Sequence, residues 1–161
     1  MARFRVTAVW LVAVCMPASI AWGAGEPRVI ATKYPTDDVV IASAVVGPPA
    51  NAEEDTTAAI QDAIDAVAEA GGGTLFLPEG RYLLKGHLLL RNAVTLRGDW
   101  QAPDEAGAVA GTILMPVEHH GNEEGDSAIT MQCGSGLREL SIWYPRQEPA
   151  NIVPYPWTVE T

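Results

Sequence analysis

Two things are scarce in this 161-residue sequence: cysteine and positive charge. Only Cys15 and Cys133 are present, and Cys15 falls in a stretch read below as removable. No internal disulfide framework is therefore expected in the processed chain. Lys and Arg number 10 against 20 Asp and Glu, a formal net charge of −10. Phosphate contacts need clustered Lys and Arg, so no nucleic-acid partner is expected. Long apolar runs are missing too, since none reaches the ~20 residues that span a bilayer. What the chain does have is 48% hydrophobic residues against 19% charged. That balance excludes a disordered acidic tail and fits a packed interior.

The first 23 residues have the three parts of a secretory signal. Arg3 and Arg5 give a positive start, residues 6–14 are apolar, and Ala21-Trp22-Gly23 places small residues before Ala24. A membrane anchor is the competing reading, but the run is short and Pro17 interrupts it. Cys15 raises a lipoprotein alternative, against which Val14 stands where a small residue is wanted. The expectation is cleavage near residue 23 and a secreted or periplasmic product with no membrane contact after leader removal.

Residues 24–52 read as an irregular, extended lead-in, interrupted by Pro27, Pro35, Pro48 and Pro49, with room for one edge strand. Acidic residues and Thr56 then mark a helix start. Over 57–70, Ile60, Ile64 and Val67 form one apolar stripe, and Gly71-Gly72-Gly73 closes the helix. Thereafter short β-type runs follow one another at 74–77, 82–84, 88–90, 94–96, 112–115, 128–131 and 140–144, separated by turn residues. No helix lies between them, which excludes a doubly wound α/β sheet. An antiparallel sandwich and a coil of stacked strands remain. The absence of two-residue Asn-Gly or Asp-Gly hairpin turns favours the coil, as do the related intervals between Leu75, Thr95, Ile113 and Ser141.

The run EEDTTAAIQDAIDAVAEAGGGTLFLPEGRYLLKGHLLLRNAVTLRGD, residues 53–99, resembles the opening of the pectate lyase superfamily, in its rhamnogalacturonase- and epimerase-type branch. The matching elements are Asp55-Thr56, Ala59-Ile60-Gln61, Ile64-Asp65, the glycine cluster, Leu75-Phe76-Leu77, Pro78-Glu79-Gly80-Arg81-Tyr82 and Val94-Thr95-Leu96-Arg97-Gly98. Gly136-Leu137-Arg138-Glu139-Leu140-Ser141-Ile142 looks like a further rung. The resemblance implies an all-β fold, a right-handed single-stranded parallel β-helix with an N-terminal capping α-helix. The implied organisation is a signal peptide over 1–23, the lead-in over 24–52, and the cap and first coils over 53–161. The chain ends on a β-type run without a second cap, so the expected fold is incomplete at its C-terminus, as in the N-terminal portion of a longer protein or a truncated gene.

By the same resemblance, lyases of this kind use Ca²⁺ with an Arg or Lys base, and the hydrolases use clustered Asp carboxylates. None of those catalytic motifs has a counterpart here, so no catalytic residue is assigned. No cofactor is evident from the residues themselves, and Ca²⁺ enters by family resemblance alone. Residues 118–126 are rich in potential ligands but lack calcium-loop spacing, and they read as a solvated loop. His87 reads as a strand-edge residue, and Cys133 has no nearby His to activate it. The candidate substrate-binding residues are Trp143, Tyr144 and Arg146, because flat aromatic faces stack on sugars and arginine pairs with carboxylates. In the competing reading Trp143 and Tyr144 pack the next coil, with Pro145 turning the chain. Tyr155-Pro156-Trp157 has the same twofold character.

The expected partner is thus a polysaccharide or glycan, and the expected protein an exported, carbohydrate-active β-helix. The alternatives are a non-catalytic glycan-binding or tailspike-like surface scaffold, and an inactive fragment.

Overall fold

The structure is a computed structural model that describes residues 26–33, 38–104 and 107–161. The leader expected over residues 1–23 lies outside the described residues.

The lead-in forms β1 (Arg28–Ala31) and β2 (Val39–Ala42), an antiparallel ribbon, followed by β3 (Ala44–Val45). The helix α1 (Thr57–Glu69) comes next, then β4 (Gly73–Phe76), β5 (Gly80–Leu84) and β6 (Leu88–Leu90). A second round consists of β7 (Val94–Arg97), the short β8 (Trp100–Gln101), β9 (Ala110–Pro116) and β10 (Ile129–Met131). A third holds β11 (Gly136–Arg138), β12 (Ser141–Ile142) and β13 (Val159–Glu160). The described residues are thus mostly β with one short helix.

Each round sends one strand to each of three sheets. Parallel pairing gives the orders β3-β4-β7-β11, β5-β9-β12 and β6-β10-β13. Side-chain alternation turns the same positions inward in every round. Leu75, Leu96 and Leu137 are in register in the first sheet, Tyr82, Leu114 and Ile142 in the second, and Leu88 and Ile129 in the third. These residues meet in one apolar core, and α1 adds Ile60, Ala63, Ile64 and Val67 to it. The helical stripe read from the sequence therefore lies over the first round.

The expected cap is more detailed than an apolar plug. The outer edge of β4 is covered by β3. The Leu83 carbonyl of β5 accepts from the Thr56 amide and hydroxyl, and Lys85 N–H donates to Asp55 and Thr57 side chains at 3.2 and 3.0 Å. The outer edge of β6 is met by the Gln61 amide, which takes Leu89 N–H at 2.9 Å and donates to Leu89 O at 3.1 Å. Three exposed strand edges are thereby satisfied, which prevents them from templating further pairing.

Several expectations are corrected. The sheets are mixed, because β1–β2 and β8–β9 are antiparallel, and they form three ladders, not one closed solenoid. The lead-in supplies three strands instead of one. Its ribbon lays Ile30, Val40 and Ala42 on Phe76, which β4 turns away from the main core. Thr56 does not cap α1 with its side chain, since its hydroxyl is taken by Leu83 O. Asp55 accepts the Thr57 amide at 3.0 Å instead. The run expected at 140–144 shortens to Ser141–Ile142, and the further rung read over 136–142 is split, because Glu139 adopts φ +51° and turns the chain between β11 and β12. The intervals between Leu75, Thr95, Ile113 and Ser141 joined two sheets: the first pair lies on β4 and β7, the second on β9 and β12.

Candidate functional site

The three singled-out residues open the loop 143–158, which joins β12 to β13. Trp143 leaves β12 with its amide on Leu114 O at 2.9 Å, and it is 40% exposed. Tyr144 turns the other way. Its hydroxyl bonds Thr158 Oγ1 at 2.8 Å and its ring lies 4.4 Å from that of Tyr155. Arg146 is exposed and donates from Nη1 to Val117 O at 3.3 Å. The structure therefore separates the trio: Trp143 faces solvent, while Tyr144 and Arg146 tie the loop down. The arginine beside Trp143 is Arg81 of β5, its guanidinium carbon 5.4 Å from the ring centroid.

Sequence separation hid the rest of the corner. The loop 143–158 packs against residues 117–128 through Gly121 N–H to Pro154 O at 2.8 Å and Ala128 N–H to Trp157 O at 3.2 Å. Gln147 closes it internally, donating to Val153 O at 2.7 Å and accepting from Val153 N–H at 2.9 Å. Between the two segments is a notch lined by His87, Glu118, His119, Asp126, Tyr144 and Tyr155 among others. His120 sets its ring edge-on to Tyr155 at 5.2 Å. All three histidines of the chain thus gather at this corner, including His87 and the pair placed in a solvated loop by the sequence reading.

The notch is small, about 10 Å³, room for roughly one water. A sugar ring does not fit inside it. The Tyr155 hydroxyl is buried without a hydrogen-bond partner among the described residues, and burial pushes its pKa up. Just outside, Trp157 is 80% exposed beside Glu123 and Pro156, an open shelf that a sugar can reach. Trp143 lines a second open shelf with Gln147 and Ile152. The signal for Trp157 was present in the sequence as Tyr155-Pro156-Trp157, but nothing there showed which aromatic would remain uncovered.

Among the described residues, no group of three or more His, Cys, Asp or Glu side chains is arranged to hold a metal ion. The described residues thus supply no such group for the Ca²⁺ that the resemblance implies, and no chemical step is assigned to that ion. No helix among the described residues is long and apolar enough to cross a membrane.

Comparison with curated proteins and with solved structures gives no match. Comparison with protein families gives one over residues 47–135, more than half of the chain. That stretch holds the cap and the first two rounds of strands, and it stops before Trp143. On this match, the chain belongs to the family described as rhamnogalacturonase A/epimerase, pectate lyase-like.

Proposed function

We propose that residues 53–161 are the capped beginning of a right-handed single-stranded parallel β-helix. In this reading the protein is exported after loss of residues 1–23, and residues 24–52 form its lead-in. Right-handedness follows from the strand twist, which makes nearly all parallel crossovers right-handed. The protein acts on a polysaccharide, by lyase or hydrolase chemistry to which no catalytic residue is assigned. The observation that supports this best is the order of the ladders, three strands per round in parallel register beneath a helix. Family membership supports the choice of a carbohydrate, and Trp143 and Trp157 supply open aromatic faces for it. A non-catalytic glycan-binding scaffold is the second reading, favoured by the placement of both indoles on open shelves instead of in a cleft.

The test is a panel of uronic-acid and neutral polysaccharides, assayed for binding, for unsaturated product and for new reducing ends, with and without Ca²⁺. Binding is expected, and Trp157→Ala should weaken it with an unchanged melting temperature. Binding without turnover selects the scaffold. Failure to bind any member of the panel contradicts both readings.

A further inference from the structure

Arg81 is an exposed arginine in a chain with twice as many acidic as basic residues. Among the described residues no carboxylate pairs with it. The ion pairs there join Lys33 to Glu79, Arg91 to Asp65 and Arg97 to Asp38. Its guanidinium instead lies over the Trp143 ring. The register accounts for the meeting. Arg81 faces Ile113 across β5–β9, Ile113 faces Ser141 across β9–β12, and Trp143 lies two residues past Ser141 on the same outward side. Ile113 and Met115 share that outward side of β9, yet they are only 2% and 5% exposed. The two long side chains thus reach towards each other across apolar sheet surface.

Stacking on an indole orients a guanidinium without using its N–H donors, which lie in the guanidinium plane. Trp143 still keeps 40% of its surface open. Part of the indole therefore stays open beside a guanidinium that pairs with no carboxylate among the described residues. We propose that Arg81 and Trp143 form a binding site for a sugar unit carrying an anionic group. The pyranose ring stacks on the indole, and the carboxylate or sulfate accepts paired hydrogen bonds from the guanidinium. The site rests on the glycan-binding reading above, and it replaces Arg146 by Arg81 as the arginine that reads charge.

The experiment measures affinity by titration calorimetry at fixed ionic strength for polygalacturonate, its carboxyl-reduced neutral counterpart and a sulfated galactan. The proteins are wild type, Arg81→Gln, Arg81→Lys and Trp143→Ala, each checked for an unchanged near-ultraviolet circular dichroism spectrum away from the tryptophan band. The wild type should prefer an anionic polymer, and the carboxylate and sulfate arms identify which anion. Arg81→Gln should erase that preference, lowering anionic affinity about tenfold while leaving the neutral polymer unaffected. Arg81→Lys, which keeps the charge and much of the cover over Ile113, should restore part of it. Trp143→Ala should weaken all arms. A preference that survives Arg81→Gln overturns the site, as does a wild type that binds neutral and anionic polymers equally. Both of those results leave the glycan reading standing. A wild type that binds no polymer overturns that reading and this site together.

Discussion

Gln61 shows how one side chain can take the place of a strand. Its amide carries a donor and an acceptor at the spacing of a backbone peptide, and both are used on Leu89. Asp65 accepts from the same nitrogen at 3.1 Å, which fixes the amide orientation. Gln61→Leu keeps the volume and removes both bonds, leaving a partly buried N–H and C=O unpaired. The expected cost is about 1–3 kcal/mol, read as a lower urea midpoint with unchanged slope. An unchanged midpoint contradicts the role. The Ala-Ile-Gln motif was visible in the sequence, but its purpose was not, because Leu89 is remote from it along the chain. Arg81 and Trp143 were illegible as a pair for the same reason: only the register of β5, β9 and β12 brings them to one side. Gly98 is a related case. It closes the motif over 94–98, and a Cβ there would lie 2.4 Å from Glu139 O and 2.7 Å from Thr112 Cβ, so the close approach of successive rounds requires glycine.

At the scale of elements, α1 was the most legible, since its periodicity and its end are both local. Gly71 and Gly72 close it with bonds to Ala68 O and Val67 O at 3.0 and 2.9 Å, the paired pattern that a left-handed glycine permits. The ribbon β1–β2 was the least legible. Its strands are apolar on both faces, with Val29, Val39 and Ile41 outward and exposed, so alternation gave no register. It is held on the first sheet by apolar contact with Phe76 and by the buried Arg97, which hydrogen-bonds the Asp38 carboxylate. That bond, together with the Val39 amide, holds Asp38 below its ordinary value of 3.8. Because the folded value is the lower one, this contribution is complete above pH 3.8 and is lost as pH falls through the depressed value. On acidification, the amide signals of Val40 and Ile41 should therefore shift and broaden at higher pH than those of Leu75 and Leu96. A ribbon and core that respond together, or a ribbon that ignores pH, contradict the latch.

For the whole molecule, the claim is that the chain winds: three strands, a return, and three more stacked on the first. The sequence showed the short strands and the lid at the start. It did not show which strands share a sheet, because the segments 98–109, 117–128 and 143–158 give successive rounds unequal lengths. The segments 117–128 and 143–158 also carry the aromatic corner, so the site was hidden by what hid the register. Nuclear Overhauser contacts in the purified, isotope-labelled protein test the winding most directly. The account predicts cross-strand contacts of parallel type linking Thr74 to Thr95 and Thr95 to Gly136 in one ladder, and Arg81 to Ile113 and Ile113 to Ser141 in another. Close Hα–Hα contacts of antiparallel type between β4 and β5, or between β11 and β12, would contradict it.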